Sequence, residues 1–124
     1  MISGIEHTAI ASPDPAALAQ WYVDTLGFVI NYRGTTACFV KAPDGTMIEI
    51  IQGEGERGPN TLKSLGLRHL ALAVSDFDSA HASLLAKGVA FLTEPMESKG
   101  NRVVFFSDPE GNILHLLYRA APLP

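Results

Sequence analysis

Three histidines and one glutamate interrupt strand-like apolar runs of this chain: His7 in IEHTAIA, Glu49 in TMIEIIQ, His69 in LRHLALAV and His115 in NILHLLY. Imidazole offers a neutral nitrogen lone pair and carboxylate an anionic oxygen, a mixed set that suits first-row divalent ions at about 2.0–2.2 Å. A charged Glu49 between Ile48 and Ile50 needs a partner, because an unpaired buried carboxylate is strongly unfavourable. A divalent cation would be that partner and would use the imidazoles too. Three neutral ligands and one charge leave room for water or a chelating substrate on a five- or six-coordinate ion. Taken singly, a strand histidine is more often a hydrogen-bonded core residue and a strand glutamate an edge residue; their recurrence at equivalent places changes the weighting.

That recurrence is an internal duplication. The first half reads IEHTAIASPDPAALAQWYVDTLGFVI and then FVKAPDGTMIEIIQ; the second reads LRHLALAVSDFDSAHASLLAKGVAFL and then FFSDPEGNILHLLY. His7 to Gly27 spans 20 residues and His69 to Gly88 spans 19, while Gly45 to Glu49 and Gly111 to His115 are both four. Each half therefore predicts a strand, a helix and three further strands: 4–11, about 14–26, 28–33, 36–41 and 46–52, then 67–74, 76–87, 89–94, 102–107 and 112–119. Ser12 or Asp14 followed by proline, and Asp76 or Asp78, are helix caps, with Gly27 and Gly88 as stops. Asp44-Gly45 and Glu110-Gly111 are turn signals between antiparallel neighbours. The chain reads as one domain, 1–124, with modules 1–53 and 67–119 joined by a Gly-rich, charged linker, 54–66.

Strand side chains alternate faces. His7 shares a face with Ile5 and Ala9, Glu49 with Met47 and Ile51, His69 with Leu67, Ala71 and Ala73, and His115 with Ile113, Leu117 and Arg119. The opposite faces carry Leu70, Leu72 and Val74 and Leu114, Leu116 and Tyr118, which should pack beneath the helices. The polar quartet then faces one shared pocket, beside alanines small enough to leave space for a ligand.

The remaining composition excludes more than it identifies. Hydrophobic residues are 47% and charged residues 18%, ordinary for a folded domain. The net charge of -4, with no Lys/Arg cluster, argues against nucleic acid. No segment reads as a signal peptide or membrane span. Cys38 is the single cysteine, so no internal disulfide can form; a reducing, cytoplasmic setting is the expectation. Arg119, Arg102 and Lys99 could meet an anionic substrate group but read better as solvated. His81 reads as a helix-surface residue and Trp21 and Tyr22 as core. Phe39, Phe105 and Phe106 are cleft candidates whose face parity alone does not fix.

The segments IEHTAIA, WYVDTLGF, DGTMIEI, LRHLALAV and SDPEGNILHLL, in this order and spacing, resemble the vicinal oxygen chelate superfamily. That group takes in glyoxalase I, methylmalonyl-CoA epimerase, extradiol dioxygenases, and fosfomycin and bleomycin resistance proteins. The resemblance covers essentially the whole chain. It implies an α+β fold of two βαβββ modules forming a cleft-like, partly open barrel, a divalent metal ion (Zn, Ni, Co, Mn or Fe), a small-molecule substrate and a homodimer. His7, Glu49, His69 and His115 match the family's four ligand sites in order. The fourth site is usually a carboxylate, so His115 is a departure, and Glu49 is the only carboxylate of the four. The implied activity is that of a lyase or isomerase: glyoxalase- or epimerase-like proton transfer on a substrate with vicinal oxygens, through a metal-bound enediolate, with Glu49 or His115 as the base. The alternatives are an extradiol-type dioxygenase using iron(II), and a non-catalytic small-molecule binder of the antibiotic-resistance type.

Overall fold

The computed structural model describes residues 1–124 and has an α+β architecture of two helices and two mixed sheets. Two compact units divide the chain, Met1–Glu56 and Arg57–Pro124.

The first unit contains β1 (His7–Ser12), α1 (Pro15–Leu26), β2 (Val29–Arg33), β3 (Ala37–Lys41) and β4 (Met47–Gln52). Asp14 caps α1, its carboxylate accepting from the Ala17 amide at 3.1 Å, and Pro15 at the first helical position loses no bonded N–H. Gly27 closes the helix at φ 76°, a left-handed conformation that costs glycine little. The sheet runs β1-β4-β3-β2, with β1 parallel to β4 and the other pairs antiparallel. α1 packs on β3, β2 and β4, over a core of Ile10, Val40, Ile48 and Ile50 from the sheet and Leu18, Ala19 and Tyr22 from the helix. Cys38 is buried on this same side of β3.

The second unit repeats the plan with β5 (Leu70–Ala73), α2 (Phe77–Ala86), β6 (Ala90–Phe91), β7 (Met96–Ser98), β8 (Asn101–Ser107) and β9 (Ile113–Tyr118). Its sheet runs β5-β9-β8-β6, again with the first strand parallel to the last, and β7 pairs with β8. Asp76 caps α2 through the Ser79 amide at 3.0 Å and the Ser79 hydroxyl at 2.9 Å. α2 packs on β9, with Phe77 and Leu84 buried together with Val104, Phe106, Leu114 and Leu116.

Three details differ from the sequence expectation. The first strands begin later than 4 and 67, at His7 and Leu70, because a strand persists only where it has a ladder partner: His7 pairs with Met47 and Leu70 with Leu114, both near the starts of their own strands. The expected strand 89–94 shrinks to Ala90–Phe91, and β7 forms beyond it. β7 turns into β8 through Lys99 and Gly100, both at positive φ (54° and 80°), the conformation of a tight two-residue hairpin, although lysine is not a residue that announces one. Residues 53–69 carry no strand or helix. They are fastened instead by hydrogen bonds from Arg57 to the Asn112 side chain, from Asn60 to the Gly111 carbonyl, and from Arg68 to the carbonyls of Thr61, Leu65 and Gly66. No helix is long and apolar enough to cross a membrane.

Replacing the α2 cap should be measurable in isolation. Asp76→Ala leaves the Ser79 amide without its acceptor and should lower the urea midpoint at unchanged slope; an unaltered midpoint would show that the cap does not stabilise α2.

Candidate metal centre

The parallel ladders bring residues from opposite ends of each module side by side. In the first unit Ala9 lies opposite Glu49, and in the second Ala71 lies opposite His115. The histidine two residues earlier, His7 or His69, then reaches the same face as the Glu49 or His115 side chain, with only an alanine methyl between. Two pairs result. His7 Nε2 stands 3.6 Å from Glu49 Oε1, and the His69 and His115 rings have centroids 4.3 Å apart.

The first pair is spaced as ligands are. A direct N–H···O hydrogen bond spans about 2.7–3.2 Å, shorter than the 3.6 Å found. Two donors bound at about 2.0–2.2 Å to one ion, at right to tetrahedral angles, stand about 2.8–3.6 Å apart. His7 Nδ1 donates to the Glu6 carboxylate, and its ring meets Phe39 edge-on at 5.3 Å. This hydrogen bond raises the His7 pKa, against a smaller lowering by burial, and the Glu6 and Glu49 charges add to the rise.

The second pair is drier. His115 is 8% exposed, and neither ring nitrogen has a hydrogen-bond partner. Buried imidazoles normally satisfy both nitrogens, so this ring holds an unused lone pair. Burial, and then electrostatic repulsion involving His69 and Arg119, lower its pKa from 6.5 to about 4, which keeps it neutral and able to ligate at neutral pH. Imidazole pairs and a carboxylate are donors of the kind a first-row divalent ion takes, and the orphaned His115 nitrogens fit such an ion. No three His, Cys, Asp or Glu side chains gather into a set that could hold an ion by themselves; the chain assembles two pairs, one per unit.

Two aromatic residues belong to these pairs. Phe39 lies directly across from Glu49, and Phe105 across from His115, meeting its ring at 4.8 Å and the His69 ring at 5.3 Å. Their partners were readable: Phe39 and Glu49 are each five residues from Asp44 in the turn, and Phe105 and His115 each five from Glu110. Phe106 instead points into the core. Arg102 is engaged by Asp78 at 2.8 Å and lies over the Phe77 ring at 4.4 Å, and His81 packs between Phe77 and Phe91 rather than standing free on the helix surface. Arg119 is exposed. Glu6, which the sequence reading passed over, had one signal: an acidic residue directly beside a candidate ligand.

The glyoxalase/bleomycin resistance protein/dioxygenase superfamily model matches residues 4–116, a stretch that contains both modules and all four candidate ligands. The chain belongs to this superfamily. The chain is 35% identical over 123 residues to "Uncharacterized protein YaeR" of Escherichia coli, covering 90% of this chain and 93% of that one. It is 30% identical over 123 residues to the ethylmalonyl-CoA/methylmalonyl-CoA epimerase of Cereibacter sphaeroides, covering 89% and 91%. A solved structure, oxidase ChaP-H2, superposes with a TM-score of 0.77 at 26% identity, over 96% of this chain and 95% of that one.

The His115 environment predicts an acid response in metal-free protein. The unfolded chain takes up a proton at His115 below pH 6.5 while the folded chain resists until about 4. Its contribution to stability is therefore present above 6.5 and is lost as pH falls from 6.5 towards 4. A His115→Leu variant should lose less stability than wild type across that window in paired urea titrations; parallel curves would contradict the assignment.

Proposed function

We propose that His7, Glu49, His69 and His115 are ligands of a divalent cation, and that the protein is an enzyme moving a proton on a small substrate with vicinal oxygens. The observation that carries the reading is His115: a buried imidazole beside a second imidazole, with both nitrogens unpartnered, is costly unless a ligand takes its lone pair. When bound, the cation would supply Lewis-acid stabilisation of negative charge developing on a substrate oxygen.

The chain's own residues divide the remaining work. His115, whose protonated form is disfavoured down to about pH 4, is a neutral holder and a poor proton acceptor. Glu49, with a side chain 27% exposed and the only carboxylate of the four, is the group we assign to take the proton. Ala9 and Ala71, the cross-strand neighbours of Glu49 and His115, keep the surrounding face free of bulk. Phe39 and Phe105 flank the pairs with apolar edges that limit water. The epimerase relative favours a carbon acid, a C–H bond beside a carbonyl, as the site of proton removal. The oxidase neighbour makes oxygen chemistry the second reading.

Purified protein should carry one divalent ion per chain by elemental analysis, and the His7→Ala, His69→Ala double variant should carry none; stoichiometric ion in the double variant would remove the quartet from the argument. Glu49→Gln should slow deuterium exchange into methylmalonyl-CoA, or isomerisation of the glutathione–methylglyoxal adduct, by about 10²–10⁴-fold while substrate still binds. Unchanged turnover would exclude Glu49 as the base. Oxygen consumption with iron(II) and a catechol, and none of the exchange, would favour the dioxygenase reading.

A further inference from the structure

We infer that Glu6 is a positioning residue of the metal centre, the carboxylate of a carboxylate–imidazole–cation chain in which His7 is the middle member. The inference rests on the metal reading above and adds a residue to it.

His7 has two ring nitrogens, and only one can face an ion. The His7 Nδ1–H donates to Glu6 Oε2, which commits the proton of the neutral ring to Nδ1 and leaves the lone pair on Nε2. Nε2 is the nitrogen 3.6 Å from Glu49 Oε1, at the spacing of two ligands rather than of a hydrogen bond. The Phe39 edge at 5.3 Å restrains the ring from a third direction. A carboxylate that accepts the outer N–H of a ligating histidine fixes its tautomer and orientation and raises its basicity.

Adjacent strand residues normally face opposite ways. Glu6 escapes that rule because it lies one residue ahead of the start of β1, where no ladder yet holds the backbone, so its carboxylate can come round to the His7 side. The duplication supplies an internal comparison. The equivalent of Glu6 is Arg68, beside His69, and a guanidinium has no acceptor to offer. Arg68 turns instead to the carbonyls of Thr61, Leu65 and Gly66. The support is thus specific to the module that also contributes the anionic ligand.

The test measures cobalt(II) binding to metal-free full-length protein by its visible absorption, with the His7 tautomer read in parallel by nitrogen-15 NMR of the metal-free state. Glu6→Ala should weaken cobalt affinity about 10- to 100-fold, move the His7 proton away from Nδ1, and leave the thermal midpoint of the metal-free protein unchanged, since the Glu6 side chain is 68% exposed. Glu6→Gln, which keeps an oxygen acceptor without the charge, should retain the Nδ1–H tautomer and recover part of the affinity. Wild-type affinity in Glu6→Ala, or an equal loss in Arg68→Ala, would overturn the inference while leaving the metal site standing. Wild-type affinity in His7→Ala would instead overturn the metal reading and this inference with it.

Discussion

Everything proposed for this protein depends on one backbone arrangement used twice: a parallel ladder between the first and last strands of a module. His7 and Glu49, like His69 and His115, lie more than forty residues apart in sequence, and only that ladder makes them neighbours. Parallel pairing needs a long crossover, which the helix and the intervening strands of each module provide. The caps at Asp14 and Asp76 and the left-handed Gly27 therefore matter to the site although none is near it, because they set where each crossover begins and ends.

The two modules share this frame and differ in what they place on it. In the first, a half-exposed histidine and carboxylate stand with a second carboxylate behind the histidine. In the second, two imidazoles and a phenyl ring crowd together, and the inner imidazole is sealed from water. Charge thus resides in one half and desolvation in the other.

Much of this was legible in the sequence because it rests on local chemistry. Helix ends followed from Asp, Pro and Gly placement, the two hairpins from Asp44-Gly45 and Glu110-Gly111, and the shared faces from strand parity. What was not legible depended on partners. The late starts of β1 and β5 reflect where β4 and β9 begin. The β7–β8 hairpin hides behind a lysine at positive φ. The deep burial of His115 comes from rings on two other segments, Phe105 and His69, which no periodicity of its own strand reveals. Glu6 was hidden by the parity rule itself, which sends neighbouring side chains apart and applies only once the ladder has begun.

The pleat of β3 has a chemical side effect. It turns Phe39 towards His7 and, by the same alternation, turns Cys38 into the carbon-lined core on the helix side. The only thiol of the chain is thereby one residue from the aromatic wall of the candidate centre and yet on the wrong side of the sheet to reach it. Thiophilic ions would find no thiolate among the candidate donors, and the sulfur on that face is the Met47 thioether, which lies across the ladder from His7. Oxidative wear on this face would fall on the methionine, whose sulfoxide is reversible, and not on the cysteine.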